Sequence, residues 1–142
     1  MAYETVERFK RRVPRADLVR LTDFDGSEEV DDDRIAGALE DASAEINSYI
    51  AKVVDLPLAN PPRHLAVICR DLALHRLYVN IGHDMEAQQS LRSDAISYLK
   101  KVAAGELALG DAPAGSAKIT SPGVAMTAGP DRRMTRDSLR GF

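Results

Sequence analysis

The chain has 142 residues, of which 44% are hydrophobic and 29% charged, a balance typical of one globular domain with an appendage. Its formal net charge is -3, which disfavours a sequence-reading DNA binder, and no apolar run approaches the ~20 residues of a membrane span. The single cysteine, Cys69, cannot form an intrachain disulfide, and the polar first 20 residues do not resemble a signal peptide. We therefore expect a cytosolic protein that is left unprocessed.

Charge and glycine are distributed unevenly along the chain. Residues 1–20 have six basic and three acidic side chains, a net charge of +3, whereas residues 21–45 have one basic and ten acidic side chains, a net charge of -9. Six of the nine glycines fall in the last 38 residues, together with three prolines. This pattern predicts a compact body over residues 1–105 and an extended arm over residues 106–142.

The first predicted elements are two short helices, over residues 5–12 and 15–21, separated at Pro14. The run Asp31-Asp32-Asp33 then supplies N-cap candidates and favourable charge for a longer helix. Its apolar residues recur at intervals of three and four as far as Val53, which predicts one buried stripe. Prolines from Pro57 onwards end this helix.

A second long helix is predicted from His64 to about Ile81, with Pro62 in its first turn. Its apolar residues surround more of the axis than one stripe, so we expect it to be the central and most buried helix. After Gly82, Asp84 is the predicted N-cap of a third long helix, which Gly105 closes. The fold class is therefore an all-α bundle of three longer helices and two short N-terminal ones, followed by the arm.

The arm contains two features of its own. Residues 117–120 and 124–127 alternate apolar and polar side chains, a pattern compatible with a short β segment. Residues 131–142 combine arginines with Met134, Leu139 and Phe142. One interpretation is a frayed tail, and the other is a segment that orders on a partner.

The sequence contains no metal or cofactor motif. The residues after Asp23 resemble a calcium loop, but the positions that need glycine and glutamate hold Glu28 and Arg34. His64 and His75 share a helix face but lie roughly 16 Å apart along the axis, too far to share a metal. We predict no metal site and no cofactor, and interpret the 23–33 segment as a solvated acidic loop that caps the next helix.

Catalysis is not predicted either. Cys69 lies in an apolar run, which indicates packing rather than nucleophilic chemistry. Glu40, Asp41 and Glu45 are expected on outward helix faces, and no nucleophile elbow, phosphate loop or dinucleotide fingerprint is present. The remote enzymatic alternative is a hydrolase that uses His75 with Asp71, which would need both side chains in an open cleft.

Four stretches of sequence together resemble one known family. They are the run Leu21-Thr22-Asp23-Phe24-Asp25-Gly26, the helix phrase over residues 38–50, the Leu56-Pro57-Leu58 turn, and the closing Thr135-Arg136-Asp137-Ser138-Leu139-Arg140-Gly141-Phe142. This combination is similar to the small head-tail connector (adaptor) proteins of Mu-like phages and prophages, and it extends over nearly the whole chain.

The resemblance implies a structural role in the virion neck. Family members are helical subunits of a ring, expected to be twelvefold, between the portal and the stopper or tail-completion protein, around a channel through which double-stranded DNA passes. It implies no catalytic residues. On this basis the arm is predicted to bind the portal through Met134, Arg136, Leu139, Arg140 and Phe142.

Two further surfaces are predicted from the charge pattern of such a ring. Neighbouring subunits are expected to meet where the basic N-terminal segment of one copy faces the acidic loop of the next. The residues assigned to this interface are Arg8, Arg11, Arg12, Asp23, Asp25 and Asp31. An acidic lumen would let DNA slide, so Glu40, Asp41 and Glu45 are predicted to face the channel.

The alternative from another class is a small cytosolic regulatory or scaffold module. Such a module would bind one basic partner through the acidic loop over residues 23–33. It would be a monomer or dimer, whereas the adaptor hypothesis predicts a ring on a portal.

Overall fold

The computed structural model describes residues 2–83 and 85–109. Five helices and no strand occur in that part of the chain, which confirms the predicted all-α fold. The helices are α1 (Val6–Arg12), α2 (Arg15–Thr22), α3 (Asp32–Ile50), α4 (Arg63–Asn80) and α5 (Glu86–Ala103). The predicted β segment over residues 117–127 and the charged segment over residues 131–142 lie outside the described residues.

The helix starts follow from side-chain capping. The Thr5 hydroxyl accepts a hydrogen bond from the Arg8 backbone N–H at 3.3 Å and begins α1. At α3, the predicted capping role falls on Asp31, whose carboxylate accepts from the backbone N–H groups of Asp33 and Arg34 at 3.0 and 3.2 Å. The N-cap of α5 is Met85, one residue after the predicted Asp84, and the Met85 side chain makes no capping hydrogen bond. Asp84 itself lies outside the described residues.

The helix ends agree closely with prediction. Gly82 and Gly105 follow α4 and α5 with φ values of 73° and 77°, in the left-handed region that lets a chain leave a helix. Pro62 is the N-cap of α4, one position before the first turn. Helix α3 ends at Ile50, three residues before the predicted Val53, because residues 51–54 form a turn instead.

The three long helices form the core. Helix α3 packs against α4 and α5, α4 packs against α5, and the short helices α1 and α2 lie on α3 and α4 respectively. Among the fully buried side chains are Phe9 of α1, Ile46 of α3, Leu72 of α4 and Leu99 of α5, each at most 1% exposed. Burial of one such side chain contributes about 1.5–3 kcal/mol.

Helix α4 shares the centre with α3 and is not the most buried helix. Seven residues of α3 are buried and six of α4, and Val79 near the end of α4 is 53% exposed. Besides the long helices α3 and α5, α4 also contacts the short helix α2. After α5 the chain returns to the core, where Leu109 is 7% exposed.

Candidate interaction surfaces

The outward face of α1 is cationic. Arg8, Arg11 and Arg12 are all exposed, and they form no ion pair within residues 2–83 and 85–109. Lys10 points the other way, and its Nζ lies 2.8 Å from Asp32 Oδ1 at the start of α3. The fold thus uses one basic side chain of α1 to attach the helix and leaves three on the surface.

The acidic loop is organised by Asp23. Its carboxylate accepts hydrogen bonds from the backbone N–H groups of residues 25–28 at 2.7 to 3.1 Å. These bonds, the one from Glu28 foremost, lower the pKa of Asp23 below its usual value because they favour the ionised form. The carboxylate therefore caps the backbone of its own loop. The described residues contain no group of three side chains suited to a metal.

Asp31 is also committed within the subunit. Besides capping α3, its Oδ2 lies 3.0 Å from Arg34 Nε, and the Arg34 guanidinium stacks 4.0 Å from the centre of the Phe24 ring. Of the three carboxylates predicted for the subunit interface, Asp25 is the exposed one without an ion pair in the described ranges. The interface prediction itself is not tested by a single chain.

The three carboxylates predicted to face the channel have different environments. Arg76 of α4 contacts both Asp41 and Glu45, with N–O distances of 3.4 and 3.3 Å, and Arg92 of α5 lies 2.9 Å from Glu45. The Glu45 side chain is only 18% exposed. Glu40 is exposed and has no ion pair among the described residues. Asp41 and Glu45 therefore join helices, while Glu40 remains available at the surface.

Sequence reasoning missed a polar cluster that holds the N-terminal segment on α3. The Tyr3 backbone N–H donates to Ser43 Oγ at 3.0 Å, and the Tyr3 hydroxyl donates to Asn47 Oδ1. Ser43 shares a 3.3 Å hydrogen bond with the buried Cys69 thiol. Burial raises the pKa values of the Tyr3 and Cys69 side chains. The sequence signal for this cluster is the pair of polar residues Ser43 and Asn47, which lie one helical turn apart beside the apolar stripe of α3.

Asp71 and His75, the residues of the hydrolase alternative, both lie on α4. The Asp71 carboxylate accepts from Arg70 Nε and Nη2 at 3.1 and 3.0 Å, and the adjacent Leu72 is 1% exposed. His75 is half-buried. These positions do not test the hydrolase alternative.

Two grooves flank α3. One, of about 190 Å³, has Phe24, Arg34, Gly37, Asp41 and Arg76 along its edges. The other, of about 640 Å³, separates α1 from the start of α3. Its lining residues include Val6, Lys10, Arg11, Asp32, Asp33 and Ala36. Glu7 also lines the larger groove, so its α1 wall has both basic and acidic side chains and its α3 wall has acidic ones.

No helix in the described part of the chain has the length and apolar character needed to cross a membrane. The predicted portal contacts, Met134, Arg136, Leu139, Arg140 and Phe142, lie outside the described residues.

Comparison with known proteins identifies the class as phage proteins. The family model described as "Bacteriophage Mu, Gp36" matches residues 3–128, and the chain belongs to this family. A curated relative, the "Mu-like prophage FluMu protein gp36" of Haemophilus influenzae, is 36% identical over 84 residues. The alignment covers 59% of this chain and 58% of that relative, so the chain spans less than two thirds of the relative's length. The Mu-like phage affiliation predicted from sequence is confirmed.

Proposed function

We propose that this protein is a head-tail adaptor, a structural component of the virion neck with no catalytic step of its own. Its copies form a ring between the portal and the stopper or tail-completion protein, and double-stranded DNA passes through the ring without sequence-specific binding. Membership of the Mu gp36 family supports a role in a phage particle.

The observation that carries the proposal is the presence of two oppositely charged surfaces on one small subunit. A ring requires heterologous contacts, in which one surface of a copy meets a different surface of the next. The outward face of α1 supplies exposed arginines, and the acidic loop supplies exposed carboxylates that form no ion pair within residues 2–83 and 85–109. A subunit of this kind has the unlike faces that ring closure needs.

Portal attachment is assigned to the arm. Residues 131–142 combine Met134, Leu139 and Phe142 with four arginines, a composition suited to a segment that gains order on a partner surface. Removing residues 131–142 is expected to leave the body folded, because the described core lies within residues 2–109. Unchanged binding of that truncated protein to the portal would refute the assignment.

The channel-facing role is most directly tested at Glu40. A lysine there adds a positive charge at an exposed site without removing an ion pair among the described residues, whereas lysine at Asp41 or Glu45 would also break contacts to Arg76. A basic lumen holds the DNA backbone more strongly, so Glu40→Lys is expected to slow DNA passage or ejection. Normal ejection by the variant phage would exclude Glu40 from the lumen.

The decisive experiment is negative-stain imaging combined with mass measurement, on the protein alone and mixed with the portal protein of the same phage. Rings that form alone, or on the portal, are the expected result. A monomer or dimer that ignores the portal would favour the alternative, a regulatory or scaffold module whose acidic loop binds a basic partner.

A further inference from the structure

The outward face of α1 carries more positive charge than the described residues of the same chain neutralise. Arg8, Arg11 and Arg12 follow one another at intervals of three and one, so they lie on one side of the helix. Phe9, on the other side, is fully buried. Glu7, one turn before Arg11, offsets part of this charge, but the arginines still outnumber it and repel one another unless a partner with the opposite charge covers them. No described residue of the same chain makes an ion pair with them.

The carboxylates that can pair with these arginines are the ones in the acidic loop that do not already have a partner. Asp23, Asp31 and Asp32 are occupied by backbone N–H groups, Arg34 and Lys10. Within residues 23–33, the exposed carboxylates without an ion pair in the described ranges are Asp25, Glu28, Glu29 and Asp33. Asp33 belongs to the first turn of α3, so the segment before that helix leaves the negative charges of Asp25, Glu28 and Glu29 available.

The loop presents these carboxylates in a fixed arrangement. The four hydrogen bonds to Asp23 hold the backbone of residues 25–28, including Glu28 in the left-handed region with φ 58°. A surface that is already ordered loses little conformational entropy when it binds. Within one copy, however, the loop and the α1 arginines form no ion pairs.

We propose that the outward face of α1 is a docking surface for a second copy of this chain, whose acidic loop supplies Asp25, Glu28 and Glu29. Arg8, Arg11 and Arg12 face these carboxylates. The groove of about 640 Å³ beside Arg11 is lined by Glu7, Asp32 and Asp33, so the incoming loop is placed on the outward arginines and not in this groove. The proposal rests on the ring assembly proposed above and specifies its contact. It replaces Asp23 and Asp31, which serve their own subunit, with Glu28 and Glu29.

The test uses two charge-reversed proteins. The first carries Arg8→Glu, Arg11→Glu and Arg12→Glu, and the second carries Asp25→Lys, Glu28→Lys and Glu29→Lys. Each alone brings like charges together and is expected to self-associate roughly tenfold or more weakly than the natural chain. In an equimolar mixture every α1 face meets a loop of opposite charge, so assembly returns.

Assembly is measured by sedimentation velocity and mass photometry, with and without portal rings, after circular dichroism shows that each protein is folded. The matched control reverses three exposed basic side chains on other elements, Arg63→Glu, Lys100→Glu and Lys101→Glu, and is expected to assemble like the natural chain.

The outcomes separate the two proposals. If the natural chain assembles but either charge-reversed protein assembles equally well, or folded partners fail to restore each other, the contact is wrong and the adaptor function stands. If the natural chain forms no oligomer even on portal rings, the adaptor function and the contact both fail. Rescue in the mixture, with the control unaffected, establishes the contact.

Discussion

Arg92 of α5 holds Glu45 of α3 by two hydrogen bonds, from Nη2 to Oε1 at 2.9 Å and from Nη1 to Oε2 at 3.3 Å. This side-by-side geometry is the strongest form of a carboxylate–guanidinium contact. It joins two long helices at a carboxylate that is largely shielded from water, and Arg76 of α4 contacts the same carboxylate.

Replacing Glu45 is therefore expected to destabilise the bundle. Glu45→Gln keeps the shape of the side chain but removes the charge that Arg76 and Arg92 both contact, and a loss of about 1–3 kcal/mol is expected in the free energy of unfolding. Urea titration measures this value. Glu40→Gln, on the exposed side of the same helix, should change it by less than about 0.5 kcal/mol. Equal effects of the two substitutions would show that the contacts of Glu45 with Arg76 and Arg92 do not stabilise the fold.

The Asp23 carboxyl should titrate below an unperturbed aspartate. Its folded pKa is lowered from 3.8, so the bonds to residues 25–28 are fully present above that pH and are lost as the pH falls through the lower folded pKa. NMR titration of the carboxyl carbon tests this directly. In Asp23→Asn, amide exchange at residues 25–28 should accelerate, whereas Asp25→Asn should leave it unchanged. Slow exchange in both variants would contradict the capping role.

Gly37 is a position where the isolated subunit can be made more stable. It lies inside α3, its φ is not in the left-handed region, and a Cβ added there would meet no atom within 4 Å. Gly37→Ala is expected to raise the free energy of unfolding by up to about 1 kcal/mol, because alanine favours the helix. Gly82→Ala, at φ 73°, should lower it. Thermal melts of both variants give the comparison. A Gly37→Ala protein less stable than the natural chain would contradict the prediction.

The Cys69 thiol should be protected in the folded protein. Burial raises its pKa and keeps reagents away, while the hydrogen bond from Ser43 opposes the shift only in part. At pH 8 an aromatic disulfide reagent is expected to react on the order of a hundredfold more slowly with the native chain than with the chain in urea. Equal rates would mean that the Ser43 and Cys69 contact opens readily.

The sequence predicted the helices well because their signals are local. The apolar stripe before Val53, the prolines near Pro62 and the glycines after α4 and α5 act within a few residues. Two predictions were wrong: that Asp84 is the N-cap of α5, and that α4 is the most buried helix. Capping and burial are harder to predict because they also depend on what packs nearby. The contact between Glu45 and Arg92 joins residues 47 positions apart, and no local spacing indicates it.

The candidate surfaces were predictable in outline only. Segment charge located the basic α1 and the acidic loop. It did not distinguish Asp23 and Asp31, whose carboxylates stabilise their own loop and helix, from Asp25, which is left for other contacts. That distinction depends on hydrogen-bond geometry, since all three residues have the same side chain and similar neighbours.

The burial of Leu109 determines where mechanical load would enter the subunit. The described chain stays on the bundle after α5, and the Leu109 side chain lies in the core. If the later residues bind the portal as proposed, tension on them would have to pull Leu109 out of the core before it could unwind the last turn of α5. Burial of Leu109 would thus protect the end of α5 from such tension.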